Sequence, residues 1–187
     1  MKKLNVLTLV ILLLVACKND VTRYTQDSEE IEIVKATIND YDYHKWDSQR
    51  ERYADTAKIY YNSRKKVLIP KDLQTYHLKN DSSFSTRAFE DEYREYEMIE
   101  DNNGKVWVNF WGLWKGHLAA NNKEIVIPVH ITYQFDKGKI VKEYGYWNTG
   151  ELILELQKIE QKSDLKEDSL EIDINELDLD IDVVELD

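Results

Sequence analysis

The chain has 187 residues, enough for one domain with a sizeable core, and its 12 Tyr, 5 Trp and 4 Phe call for an aromatic interior or pocket. One cysteine excludes a disulfide framework. The net charge of -11 is uneven. Residues 163–187 hold 11 of the 36 acidic residues and one of the 25 basic ones, so the body is nearly neutral and offers no basic face for a nucleic acid.

Taken in chain order, Lys2 and Lys3 precede an apolar run from Leu4 to Ala16 that only Asn5 and Thr8 interrupt. As a helix it would rise about 20 Å, short of the roughly 30 Å hydrocarbon slab. It ends Leu14-Val15-Ala16-Cys17. The segment resembles a bacterial lipoprotein signal, residues 1–16, with Cys17 as the lipidated first residue of the mature chain. That resemblance implies export to the cell envelope and a lipid anchor in a membrane. Residues 17–26 then read as a tether.

A domain is expected over 27–162. Asp27 and Glu30 have capping-box spacing, and Ile31, Val34, Ile38 and Tyr41 follow at helical intervals. A second short helix is expected over Trp46–Asp55 and a strand over Lys58–Asn62. Pro70 suits the first turn of a helix, and Thr86–Glu92 reads as helical. Four β-rich runs follow: Tyr93–Ile99, Lys105–Leu118, Glu124–Asp136 and Lys139–Trp147. Asn102-Asn103-Gly104, Asn121-Asn122 and Asp136-Lys137-Gly138 separate them, all residues that tolerate positive φ. Leu152, Leu156 and Ile159 mark a last helix, which Asn148 and Glu151 could cap. Helices followed by long strands predict an α+β domain with a curved antiparallel sheet and helices in its concave face. Gly112, Gly116 and Gly145 are the expected bend or bulge points.

Several features then point to one family. Trp46…Tyr53-Ala54-Asp55, Gly112-x-x-x-Gly116, Phe135-Asp136-x-Gly138-Lys139-Ile140-Val141 and Tyr146-Trp147-Asn148 resemble the SnoaL-like branch of the nuclear transport factor 2-like superfamily. The resemblance spans residues 28–160. It implies a cone-shaped α+β barrel, often dimeric through its outer sheet face. Its members include polyketide cyclases, ketosteroid isomerases, dehydratases and hydrolases. It also implies a carboxylate in the cone of the enzymes; several members have Asp where this chain has Asn148, and an amide is no general base.

Two sets of residues are candidates for a site. His130 lies in Val129-His130-Ile131-Thr132-Tyr133. Burying the larger apolar set turns His130 outward, toward a dimer contact; if the polar set lines the cone, His130 is a general base. Trp107, Trp111 and Tyr144, with the Asn148 amide, could instead form a pocket for a flat apolar ligand, or simply pack the core. His44, His77, His117 and His130 lack metal-binding spacing, and no nucleotide or nucleophile motif occurs, so no metal or cofactor is expected.

The tail, 163–187, alternates apolar and acidic residues. It reads as disordered, because like charges on one strand face repel, or as a strand added to a partner's sheet. Three functions stay open: a lipid-anchored binding protein, an enzyme using His130, and an assembly protein docking through its tail.

Overall fold

The computed structural model describes residues 23–177, and the side chains of 23–165. Cys17, the signal segment and residues 178–187 lie outside the described residues.

Strand β1 (Tyr24–Thr25) comes first, inside the stretch expected to be tether; it pairs with Met98 and Ile99. Helix α1 (Glu29–Asp42) begins at Ser28, whose hydroxyl accepts the Ile31 N–H at 3.2 Å, one residue after the expected Asp27 cap. Its Ile31, Val34 and Ile38 are buried against the sheet, each stabilising the fold by about 2 kcal/mol. Asp42 ties the end of α1 to the sheet by accepting the Phe89 N–H and the Arg94 guanidinium.

Helix α2 (Trp46–Glu51) stops earlier than the sequence suggests, because Tyr53–Asp55 belong to β2 (Tyr53–Tyr61). Pro70 opens a tight turn before α3 (Leu73–Asp81). No α-helix forms over Thr86–Glu92: β3 (Phe84–Phe89) pairs with the far half of β5 (Val106–Leu118), and only a single 3-10 turn, Asp91–Tyr93, follows it. Arg87, Ala88 and Glu90 favour helix locally, but burial of Phe89 and the ladder to β5 decide the outcome.

Strands β4 (Glu95–Glu100), β5 (Val106–Leu118), β6 (Glu124–Asp136) and β7 (Lys139–Trp147) fall where the sequence places them. In the β6–β7 hairpin Lys137 and Gly138 take φ of 51° and 72°, as a tight two-residue turn needs. The sheet order is β1-β4-β5-β6-β7-β2, with β3 beside β5. The sheet is mixed rather than wholly antiparallel, since β2 lies parallel to β7. Strand β5 changes partner along its length, from β4 at Val106–Trp111 to β3 at Trp114–Leu118. The result is a curved, unclosed α+β cone, with α1 in its hollow.

The three glycines are not bulges. Gly112, Gly116 and Gly145 lie where aromatic rings fold over the inner sheet surface; a Cβ on Gly145 would sit 2.5 Å from the Trp147 ring and 2.8 Å from Tyr61. Helix α4 (Gly150–Leu177) is the last described element. Its Leu152, Leu156 and Ile159 pack on the core, and Lys123 in the β5–β6 turn bridges Glu151 and Glu155. The helix runs past residue 162, so the acidic segment starts as helix in this structure.

Candidate functional site

The inner sheet surface is set by register. On β5 the inward residues are Val108, Phe110, Trp114 and Leu118; on β6 they are Ile125, Ile127, Val129, Ile131 and Tyr133. Strand β7 holds one irregularity. Phe135 pairs with Ile140 but Gln134 pairs with Lys142, leaving Val141 as an extra residue. Ile140 is buried, and strict alternation would bring Lys142 and Tyr144 inward. The extra residue reverses the phase, so Glu143 and Gly145 face the cone.

Glu143 is therefore a carboxylate in an apolar core, 1% exposed. The Tyr53 hydroxyl donates to its Oε2 at 2.6 Å, and Tyr61 also supports the charged form. Burial outweighs both and pushes the Glu143 carboxyl up to about 7. Among the described residues no lysine or arginine pairs with it. Burial, reinforced by the Glu143 charge, pushes the Tyr53, Tyr61 and Tyr133 phenols well above their ordinary range, so they stay protonated donors.

Glu143 opens onto a cavity of about 360 Å³. Tyr41, Tyr61, Tyr76, Trp114, Tyr133 and Trp147 form its aromatic wall, and Leu152 and Leu156 of α4 close one side. The Trp114 N–H donates to the Tyr41 hydroxyl at 2.9 Å, and the Arg87 guanidinium covers the Tyr41 ring at 3.8 Å. His77 also lines the cavity. Its ring stacks on Trp46 with centroids 5.3 Å apart. Burial, aided by Arg87, lowers its pKa to about 3, so the imidazole is neutral, and its buried Nε2 has no partner. Among the described residues, no group of three His, Cys, Asp or Glu side chains is placed to hold a metal.

The residues singled out from sequence lie elsewhere. His130 faces outward and stacks on Trp111 at 5.0 Å, with Tyr146 beside it. Trp111 is 37% exposed, Trp107 shares its outer face, and Tyr144 stacks on Tyr60. Neither His130 nor the proposed Trp107–Trp111–Tyr144 pocket lines the cavity, because the alternate residues of β5 and β6, and Glu143 and Gly145 of β7, claim the inside. The Asn148 side chain accepts the Gly150 N–H at 2.8 Å and starts α4. Glu143, Tyr61 and His77 carry no sequence motif, and Tyr53 enters only as part of the family pattern Tyr53-Ala54-Asp55. The available signal was Glu143 sharing a strand face with Gly145 and Trp147.

No family model matches the chain, and no curated protein matches it. Solved structures do. A candidate SnoaL-like polyketide cyclase from Shewanella denitrificans is 13% identical, with 71% of this chain and 99% of that one covered at a TM-score of 0.54. A candidate polyketide cyclase from Xanthomonas campestris is 14% identical, with 70% and 98% covered at 0.53. A nuclear transport factor 2-like protein of unknown function from Burkholderia pseudomallei is 11% identical, with 68% and 96% covered at 0.53. This chain has the SnoaL-like, nuclear transport factor 2-like fold.

Proposed function

We propose that this SnoaL-like cone binds a small, largely apolar ligand whose polar atom docks on Glu143. The observation that carries the reading is a buried carboxylate poised near neutrality at the wall of an aromatic cavity. Apolar walls supply affinity and one titratable group supplies orientation. Calorimetric titration with 2-naphthol tests it. Saturable one-to-one binding is expected, and Val129→Trp, which fills the cavity, should abolish it while the circular dichroism stays unchanged. Absence of saturable binding, or unaltered binding by the filled variant, contradicts it.

The pKa of Glu143 favours a second reading, acid–base catalysis of cyclase or isomerase type. A carboxyl near pH 7 exchanges protons in both directions, and the solved cyclase candidates share the fold. Glu143, not His130, is then the base, because Glu143 lines the cavity and His130 does not.

Envelope anchoring through Cys17 is part of the proposal and rests on the N-terminal sequence pattern. Cys17→Ser should leave an unlipidated precursor; normal processing of that variant would overturn the anchor.

A further inference from the structure

Among the described residues, the buried side-chain atoms that this cavity leaves without partners are the Gln49 Oε1 and the His77 Nε2. Among the described residues, the partners of the Glu143 carboxylate are tyrosine hydroxyls. Gln49, 4% exposed, donates its amide N–H to the Thr37 carbonyl at 3.5 Å and leaves its Oε1 unpaired. Turning that amide over would set oxygen against oxygen, so the orientation is fixed by the Thr37 carbonyl. The His77 Nε2 is also unpaired, and it accepts in the tautomer that carries its proton on Nδ1. All three side chains line the same cavity.

A buried carboxylate without a cation, beside unpaired acceptors, lacks positive charge and hydrogen-bond donors together. The walls suit the same partner. Tyr61, Tyr76, Trp114 and Trp147 present ring faces or edges around the space, and a cation over an aromatic face is attracted by its quadrupole. A neutral acceptor ligand, such as a ketone, would leave Gln49 unsatisfied and meet the carboxylate with a lone pair.

We infer that the ligand is a small protonated amine: an organic ammonium that carries at least one N–H and an apolar substituent. This rests on the cone being a ligand cavity. The nitrogen sits against Glu143, donates to its carboxylate, and can reach Gln49 or His77 with a further N–H. The apolar substituent fills the aromatic wall. The groups facing Glu143 are Tyr53 and Tyr61 from β2 and Tyr133 from β6, all protonated phenols. Tyr76 and neutral His77 come from α3, and Lys79 and Asp81 lie at its end.

The test compares benzylamine, protonated throughout the range used, with benzyl alcohol, its neutral counterpart of similar shape. Binding to the full-length protein is followed by calorimetry. At about pH 8, where Glu143 is ionised, benzylamine should bind on the order of tenfold tighter than the alcohol. At about pH 5.5 the preference should shrink, because the ammonium must then displace a proton from Glu143. Glu143→Gln should erase the preference for benzylamine over the alcohol. Equal or tighter binding of the alcohol at about pH 8 overturns the ammonium and leaves the cavity reading standing. Failure of both probes overturns both. The pH arm uses the unaltered protein, so the inference stays falsifiable if the variant does not fold.

Discussion

The Tyr53 hydroxyl and the Glu143 carboxylate meet at 2.6 Å across the parallel β2–β7 pair, at the floor of the cone. The two residues are 90 positions apart, and each is almost wholly buried. Their hydrogen bond favours the carboxylate, while burial favours the carboxylic acid; burial wins, and the group rests near pH 7.

Removing that donor should therefore move Glu143 further. Tyr53→Phe is expected to raise its pKa above 7 and to destabilise the protein by about 1–3 kcal/mol at about pH 8, where a buried carboxylate loses its partner. Urea denaturation at about pH 8 and about pH 5 checks this: the loss should be smaller at the lower pH, where the acid is neutral.

Glu143→Gln should have the opposite effect on stability. The folded pKa, about 7, lies above the ordinary 4.5. Between these values the folded chain keeps a proton that the unfolded chain has released, so stability falls as pH rises through the window. The full loss is about 3 kcal/mol above it. The glutamine variant escapes this loss. It should be more stable than the parent at about pH 8 and nearly equal near pH 4.5, as read by thermal unfolding.

His77 acts at the acidic side. Its folded pKa, about 3, lies below the ordinary 6.5, so stability is complete above 6.5 and drains away as pH falls toward 3. With Glu143, this places the stability maximum between 4.5 and 6.5. His77→Phe, which keeps the stack on Trp46, should flatten the fall on the acidic side and leave the alkaline side unchanged.

Gly145 tests the shape of the cavity. A methyl group there would strike the Trp147 and Tyr61 rings, both on the cavity wall. Gly145→Ala is expected to cost about 1–3 kcal/mol and to weaken 2-naphthol binding more than it lowers stability. The two effects separate by comparing a denaturation curve with a calorimetric titration.

Much of the cone could be read from the chain. Ile31, Val34 and Ile38 spell the buried face of α1, and Asp136-Lys137-Gly138 spell the last hairpin. Strand β3 escaped because Thr86–Glu92 is short and rich in helix-compatible residues, and only its pairing with β5 makes it a strand. The site escaped for a different reason. Trp111 pairs across the sheet with His130, so an outward His130 requires an outward Trp111, and Trp107 and Trp111 cannot then line the cone as Trp114 does. Glu143 was hidden by the extra residue Val141, which no turn residue marks and which reverses the alternation from Ile140 onward. Within an unbroken strand period-two reasoning assigns residues to shared faces, but only packing says which face is inside.

The most direct measurement is the titration of the Glu143 side-chain carboxyl by carbon-13 NMR in the unliganded full-length protein, assigned by its absence in Glu143→Gln. A midpoint near 7 is the predicted result. A midpoint in the ordinary range near 4.5 would mean that the carboxylate sits in water, and would contradict a dry, chargeable floor to the cone.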